Sequence, residues 1–282
     1  MKSLLCAISL LLGVSPLASA AGEAATGEME KAYRVAASVG DTETVVDYLD
    51  NKKVDVDAVN QFGKTALMMA VGNGNFDTIV ALLNRGADVN RRTKGGCTAL
   101  TFAAENGHAG VTAMLLERGA HLHDRTNSGQ DALMLAARYD LGDVVDQLLF
   151  KGADVKASDR SGRTAMMIAA EKGHAEVVDK IVKGGADIES RDRDGATALI
   201  IAAAEDHRDV VELLLELGAN IDVQDNDGIS ALMEAVYNRS TSMVELLVAK
   251  GANVALKDAS GATAMTLAEK GASADLVGLL KQ

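Results

Sequence analysis

The residues of this sequence that are best suited to metal binding or acid–base chemistry are its histidines. His108, His174 and His207 are separated by multiples of 33 residues, so they occupy one repeated position. Neighbouring helices pack about 10 Å apart, whereas a zinc–histidine bond is about 2 Å long. Three histidines spaced in this way cannot share one zinc ion, and we interpret them as structural.

A second pair, His121 and His123, is followed directly by Asp124. Imidazole and carboxylate groups are both zinc ligands, but this loop offers no fixed third ligand. We therefore treat His121 and His123 as weak metal candidates. Together with Cys97 they support one alternative function, a metal- or redox-handling accessory protein, although we interpret Cys97 as a turn residue.

The methionines also raise a chemical possibility, because thioethers bind Cu(I). They recur at the repeat spacing, however, and we interpret them as fillers of gaps between repeats. They are Met68, Met134, Met167 and Met233. The sequence contains no Ser-His-Asp or Cys-His grouping, nucleotide-binding loop or paired-carboxylate motif. We therefore expect neither an enzyme nor a cofactor.

The spacing of the glycines indicates which structural elements position these residues. A glycine returns every 33 residues, at Gly63, Gly96, Gly129, Gly162, Gly195, Gly228 and Gly261. A strict period of this length predicts stacked copies of one small unit. Within each copy the apolar spacing predicts two short helices and a turn, the first helix about nine residues long. A threonine, serine or aspartate precedes each first helix as an N-cap.

The segment from Gly162 to Asp187, GRTAMMIAAEKGHAEVVDKIVKGGAD, carries the repeated frame most fully. It resembles the ankyrin repeat, whose frame is G-x-T-x-L-x-x-A-A followed by L-L-x-x-G-A-D. The resemblance extends over roughly residues 27–282. It implies an all-α solenoid of helix-turn-helix units joined by β-turn or hairpin loops, and a protein-binding role.

The frame departs from that family at two positions. The proline after the capping residue is alanine in all seven repeats, and the histidine two residues further on is replaced by methionine, threonine or isoleucine. In the family that histidine helps to tie adjacent repeats by hydrogen bonds. We expect apolar packing to take its place here.

The ends of the chain predict a separate organisation. Residues 1–20 have a basic start at Lys2, an apolar run and a small-residue cleavage site at Ala18-Ser19-Ala20, which predicts a signal peptide of bacterial type. The run is too short to span a membrane. We expect residues 21–27 to be disordered and residues 28–282 to form one domain of about eight repeats, with caps at 28–59 and 258–282.

Charge limits the class of partner. The formal net charge of −12 argues against nucleic acid and anionic membranes as partners. The resemblance implies that turns and first-helix ends line a concave face, where basic residues and a few aromatic residues gather. The candidate partner-binding residues are Phe62, Tyr139, Tyr237, Arg138, Arg160, Arg163, Lys172, Arg193 and Ile229.

These observations predict a non-enzymatic binding scaffold, exported to the periplasm, that holds another protein in its groove. The partner we expect is a folded periplasmic enzyme with an acidic patch, which the scaffold inhibits or protects in an immunity-like role. We expect a monomer that does not insert into membranes. The main alternative is a secreted effector that binds a host protein.

Overall fold

The computed structural model describes residues 16–271 and 273–281, with side chains described from Thr26 onward. Within these residues short α-helices alternate with turns, which confirms the predicted all-α class. The helices are α1 (Pro16–Val39), α2 (Thr42–Asp50), α3 (Ala66–Gly72), α4 (Phe76–Asn84), α5 (Ala99–Glu105), α6 (Ala109–Glu117), α7 (Ala132–Arg138), α8 (Gly142–Phe150), α9 (Ala165–Lys172), α10 (Ala175–Lys183), α11 (Ala198–Ala204), α12 (Arg208–Glu216), α13 (Ala231–Tyr237), α14 (Thr241–Ala249), α15 (Ala264–Lys270) and α16 (Ala274–Leu279).

Each repeat from α3 to α14 contains a short first helix and a nine-residue second helix. The first helices have seven or eight residues, which corrects the expected nine. They end early because a residue in the left-handed region follows closely. Gly173, with φ of +77°, ends α9 in this way.

The N-caps of the first helices largely follow the sequence prediction. The Thr65 hydroxyl accepts a hydrogen bond from the Met68 N–H at 3.2 Å, and the Asp131 carboxylate accepts one from Met134 at 2.9 Å. The prediction is wrong for Thr197, whose buried hydroxyl makes no capping bond and has no hydrogen-bond partner among the described residues.

A hairpin tip separates consecutive repeats, and its shape explains the periodic glycine. In one tip the Asp192 carboxylate accepts hydrogen bonds from the N–H groups of Asp194 and Ala196, which holds the turn closed. Gly162 has φ of +81°, and a Cβ atom there would lie 2.8 Å from the backbone nitrogen of Arg193 in the next tip. Only glycine satisfies both constraints.

The chain divides into two compact units. Unit 1 contains the chain up to Ala103 together with the segment Met114–Ala120. Unit 2 contains Ala104–Ala113 and the chain from His121 onward. In unit 2 each first helix from α7 to α15 contacts the next first helix. Alanines such as Ala169 and Ala202 are fully buried between them and allow this close approach.

Methionines complete the apolar core, as the sequence predicts. Met134 and Met167 in unit 2 are at most 1% exposed, and their flexible thioether chains fill the spaces that alanine leaves. Met233, also in unit 2, and Met68, in unit 1, are buried to a similar degree, at 1% and 2% exposure.

The N-terminal segment differs from expectation. Residues 21–27, for which we expect disorder, lie inside the helix α1. Three of these seven residues are alanine, the strongest helix former. Most of the predicted signal peptide, residues 1–15, lies outside the described residues. Of the helices in the described part of the chain, none has the length and apolar character that crossing a membrane requires.

Candidate protein-binding surface

Three candidate residues of unit 2 converge on one carboxylate. The Arg163 guanidinium forms an ion pair with Glu171, and the Lys172 ammonium lies 2.8 Å from the other Glu171 oxygen. Arg163 also lies 3.7 Å from the buried carboxylate of Asp192 in the next tip. The structure therefore uses Arg163 to tie a first helix to two tips, and much of its charge is already balanced.

Arg138 belongs to the same neighbourhood. Burial opposes the ionisation of Glu171, but the hydrogen bond from Lys172 and the charges of Arg163, Lys172 and Arg138 outweigh it and lower the Glu171 pKa. The Nε atom of Arg138 is buried and has no hydrogen-bond partner among the described residues. We call Arg138, Arg163, Glu171 and Lys172 the basic cluster.

Two further arginines project from consecutive tips of unit 2. Arg160 and Arg193 are exposed, and their backbone nitrogens donate to Ser128 and Ser161 of the preceding tips, each at 3.1 Å. Among the side chains that the structure describes, no carboxylate pairs with either guanidinium. The tips therefore fix the backbone of both arginines and leave their charges available.

The predicted tyrosines lie at the ends of first helices in unit 2. Tyr139 is 48% exposed and its hydroxyl lies 3.5 Å from the Glu105 carboxylate, at the limit of a hydrogen bond. Tyr237 is 51% exposed, and burial, helped by the charges of Asp258 and Glu234, raises its pKa. Both rings are half open to solvent, as an interface anchor must be.

The remaining candidates are placed less favourably. Ile229 is only half-buried and its N–H donates to Asp225 at 2.8 Å, so it helps to close a tip. Phe62 is 58% exposed on a tip of unit 1, where its N–H donates to Asn60. Neither residue belongs to the basic cluster.

Each of the two metal candidates lies close to a carboxylate. His121 Nδ1 lies 3.7 Å from the Asp124 carboxylate, and His123 lies near Asp131. Throughout the described ranges no three His, Cys, Asp or Glu side chains are grouped so as to hold a metal ion. Cys97 is half-buried, and its N–H donates to the Thr93 hydroxyl.

Helical position alone misses two aromatic residues. Phe76 and Phe150 occupy helix positions that usually pack, yet they are 52% and 83% exposed. Phe76 is the first residue of α4 and Phe150 is the last residue of α8, so both rings project beyond the packed stripe. The positions of the helix ends, which periodicity places poorly, are the signal that would have found them.

Paired short helices, hydrogen-bonded tips and a small-residue core define a protein built from stacked helical repeats. Models of ankyrin repeats match residues 34–126 and 133–225 as three-copy blocks, and a many-copy model matches residues 203–248. The chain belongs to the ankyrin repeat family.

A solved structure agrees with the family match. The crystal structure of the human ASB11 ankyrin repeat domain is similar to this chain with a TM-score of 0.71 and 26% sequence identity, and the match covers 77% of this chain and 97% of that one. No curated protein matches the sequence. Ankyrin repeats are generally scaffolds for protein–protein interaction and are typically not enzymes.

Proposed function

We propose that this protein is a non-enzymatic scaffold whose unit 2 binds an acidic patch of a partner protein. The observation that carries the proposal is the pair Arg160 and Arg193, two exposed guanidiniums on consecutive tips whose charges no described carboxylate balances. Arginine forms bidentate hydrogen bonds with carboxylates, and complementary charge gives such an interface its specificity.

Two further side chains of unit 2 extend the proposed contact surface. Lys172 adds an exposed cation and Tyr139 adds a half-exposed ring next to Arg138. Tyrosine and arginine are the residue types that carry most binding energy in protein interfaces. We call Tyr139, Arg160, Lys172 and Arg193 the tip surface. Tyr237 is a further contact candidate on the same unit.

We also propose that the protein is exported to the periplasm and that its partner is a folded enzyme there, which it inhibits or protects. The support is the signal-peptide pattern of residues 1–20. Fractionation of the producing cells tests this location. Recovery in the periplasmic fraction supports it, whereas recovery in the medium favours a secreted effector and recovery in the cytoplasm overturns export.

Affinity capture from periplasmic extract tests the binding proposal. The bait is the full chain, and the test variant combines Arg160→Glu with Arg193→Glu. The matched control combines Lys183→Glu with Lys250→Glu, which reverses two exposed charges at the ends of second helices. We expect wild type and control to retain the same protein and the test variant to lose it. Equal capture by all three would overturn the assignment of the tip surface.

A further inference from the structure

In the repeats of α10 and α12, the residue that precedes the second helix reaches back to the preceding repeat, whereas before α8 that position is Leu141. His174 Nε2 lies 3.1 Å from the backbone oxygen of Arg138, and His207 Nε2 lies 2.9 Å from that of Glu171. A carbonyl oxygen only accepts, so each imidazole donates. Each ring thus satisfies a carbonyl at the end of a first helix and fills the space beside it.

The next repeat makes the same contact with another residue. Ser240 replaces the histidine and is too short to reach back to the carbonyl, and Asn238 donates to the backbone oxygen of Ala204 at 2.5 Å instead. Asn238 therefore performs the task of the missing imidazole.

The last repeat has neither device. One period further on, Ser273 holds the histidine position and Gly271 holds that of Asn238. In the described part of the chain nothing donates a hydrogen bond to the backbone oxygen of Tyr237, the equivalent carbonyl. The space that imidazole occupies in the earlier repeats is left open here.

The result is a pocket of about 320 Å³, which we call the terminal pocket. Its lining residues are Val236, Tyr237, Arg239, Leu267, Ala268, Lys270, Gly271, Ser273 and Leu276. At about 30 Å³ per water molecule, its volume corresponds to roughly ten waters. It can therefore hold a small organic group rather than a single solvent molecule.

The terminal pocket combines an apolar wall with exposed cations. Val236, Ala268 and Leu276 are buried in its wall, whereas Arg239 and Lys270 are exposed. One Arg239 nitrogen lies 3.3 Å from the Gly271 oxygen, and the other guanidinium donors remain available. An apolar wall beside two cations suits a ligand with an apolar body and an anionic end.

One carboxylate, Asp258, offsets part of the Lys270 charge, but among the described side chains no carboxylate forms an ion pair with Lys270 or Arg239. Asp258 interacts electrostatically with Lys270 and Tyr237. Its oxygen Oδ1, however, already accepts hydrogen bonds from the N–H groups of Ser260 and Ala262 and from the Ser260 hydroxyl. Asp258 is therefore held by its own tip.

Arg239 occupies its place at a conformational cost. Its φ is +57°, a left-handed value that Asp140 and Asp206 share at the equivalent positions of other repeats, whereas Gly173 is a glycine there. Such a strained non-glycine residue persists where its side chain or surroundings hold it, often at binding sites. Strain, cation and pocket thus coincide at one residue.

We propose that the terminal pocket binds a small apolar group that carries a carboxylate. The apolar body lies against Val236, Leu267 and Leu276, and the carboxylate meets Arg239 and Lys270. Such a group is available from a free branched-chain carboxylic acid or from a protein chain that ends in an apolar residue.

Titration of the full chain by amide NMR tests this proposal with 4-methylpentanoate and its uncharged isostere 4-methylpentanamide. We expect saturable shifts at Gly271, Ser273 and Leu276 with the acid, with a Kd of about 1–10 mM, as is typical for so few atoms. We expect the amide to bind about tenfold more weakly, because it lacks the ionic contact. Equal affinity for both compounds, or no saturable shift with the acid, would overturn the proposal.

Ser273→His provides the second arm, because it places in the pocket the ring that the other repeats carry. We expect it to abolish the shifts, whereas the surface control Ser242→His retains them; loss in both variants or in neither contradicts the proposal. Acetyl-Ala-Ala-Leu with a free terminal carboxylate distinguishes the source. Tighter binding than 4-methylpentanoate indicates a protein terminus, and weaker binding indicates a free acid.

Discussion

The imidazole of His207 lies directly over Gly173. Its Nε2 atom is 2.9 Å from the Glu171 backbone oxygen, and a Cβ atom on Gly173 would lie 2.7 Å from its Nδ1 atom. The two residues are 34 positions apart in the sequence. A donor at the start of a second helix and a residue that leaves room for it on the preceding repeat therefore form one joint between repeats.

This joint predicts a coupled pair of substitutions. His207→Ala removes the donor to Glu171 and should lower the free energy of unfolding by about 1–2 kcal/mol. Gly173→Ala should cost at least about 1 kcal/mol, because alanine is strained at positive φ and its methyl group meets the imidazole. The double variant should lose less than the sum, by at least about 0.5 kcal/mol. Urea denaturation measures all three, and strict additivity would show that the two residues do not interact.

A second prediction concerns the strained backbone at Arg239. Arg239→Gly should raise the free energy of unfolding by up to about 1 kcal/mol, because glycine adopts the observed φ without steric cost. Arg239→Ala keeps the Cβ atom and is the matched control, for which we expect no gain. If Arg239→Ala raised the free energy of unfolding as much as Arg239→Gly, the loss of the arginine side chain and not the backbone strain would explain the gain.

A third prediction concerns the one aspartate among the first-helix N-caps. Burial, which outweighs its backbone hydrogen bonds and the Arg125 charge, raises the pKa of Asp131. The native state therefore favours the protonated form, and the cost of ionisation appears as pH rises through the native pKa. Threonine occupies the equivalent position in most repeats and caps without charge.

Asp131→Thr should therefore stabilise the protein at pH 7, because the variant keeps a capping oxygen and removes the cost of holding a buried carboxylate in its ionised form. The gain should shrink as pH falls through the raised native pKa of Asp131 toward its unperturbed value, because the wild-type carboxyl is then protonated in the native state. Asp131→Asn, which keeps a side-chain oxygen, should behave similarly. Thermal unfolding across this pH range would contradict the account if the gain grew on acidification.

A fourth prediction has the opposite sign, because the pKa of Glu171 is lowered. Its ionised form contributes stability above its unfolded pKa, and that stability is lost as pH falls through the lower native pKa. Glu171→Gln should cost about 1 kcal/mol at pH 7, because it removes the charge that balances Lys172 and Arg138 and leaves Arg163 with only the more distant Asp192. The difference from wild type should vanish in acid. A pH-independent difference would mean that Glu171 acts through packing alone.

The sequence predicts the repeat frame because each of its signals is local. The tip glycine, the capping residue and the small residues of the first helix act over a few positions, and their period identifies the family. The 33-residue spacing of glycines such as Gly162 follows from the contact between adjacent tips, which any stacked repeat must make. Local rules and tertiary packing agree at these positions.

The candidate surface was less predictable because side-chain partners are not local. Arg163 is as basic in the sequence as Arg160, yet only Arg163 pairs with Glu171 and Asp192. The Arg163 charge is balanced by two carboxylates that are distant in the sequence. One, Glu171, lies on the first helix of the same repeat, and the other, Asp192, lies on the next tip. Phe150 illustrates the same limit, since its exposure depends on where α8 ends.

The terminal pocket is partly visible in the sequence. The serine at position 273 and the glycine at position 271 stand where earlier repeats carry His207 and Asn238. Their consequence, an open space beside Tyr237, requires the structure. A missing side chain is a signal only when the contact that it would have made is known.

Hydrogen exchange with the captured partner tests the central claim most directly. The full chain is labelled alone and with the partner, and exchange is compared between peptides that contain the tips of Arg160 and Arg193 and peptides from α10 and α12. The account predicts added protection at the two tips and at the end of α7 around Tyr139, with α10 and α12 unchanged. Protection confined to the second helices, with the tips unaffected, would contradict it.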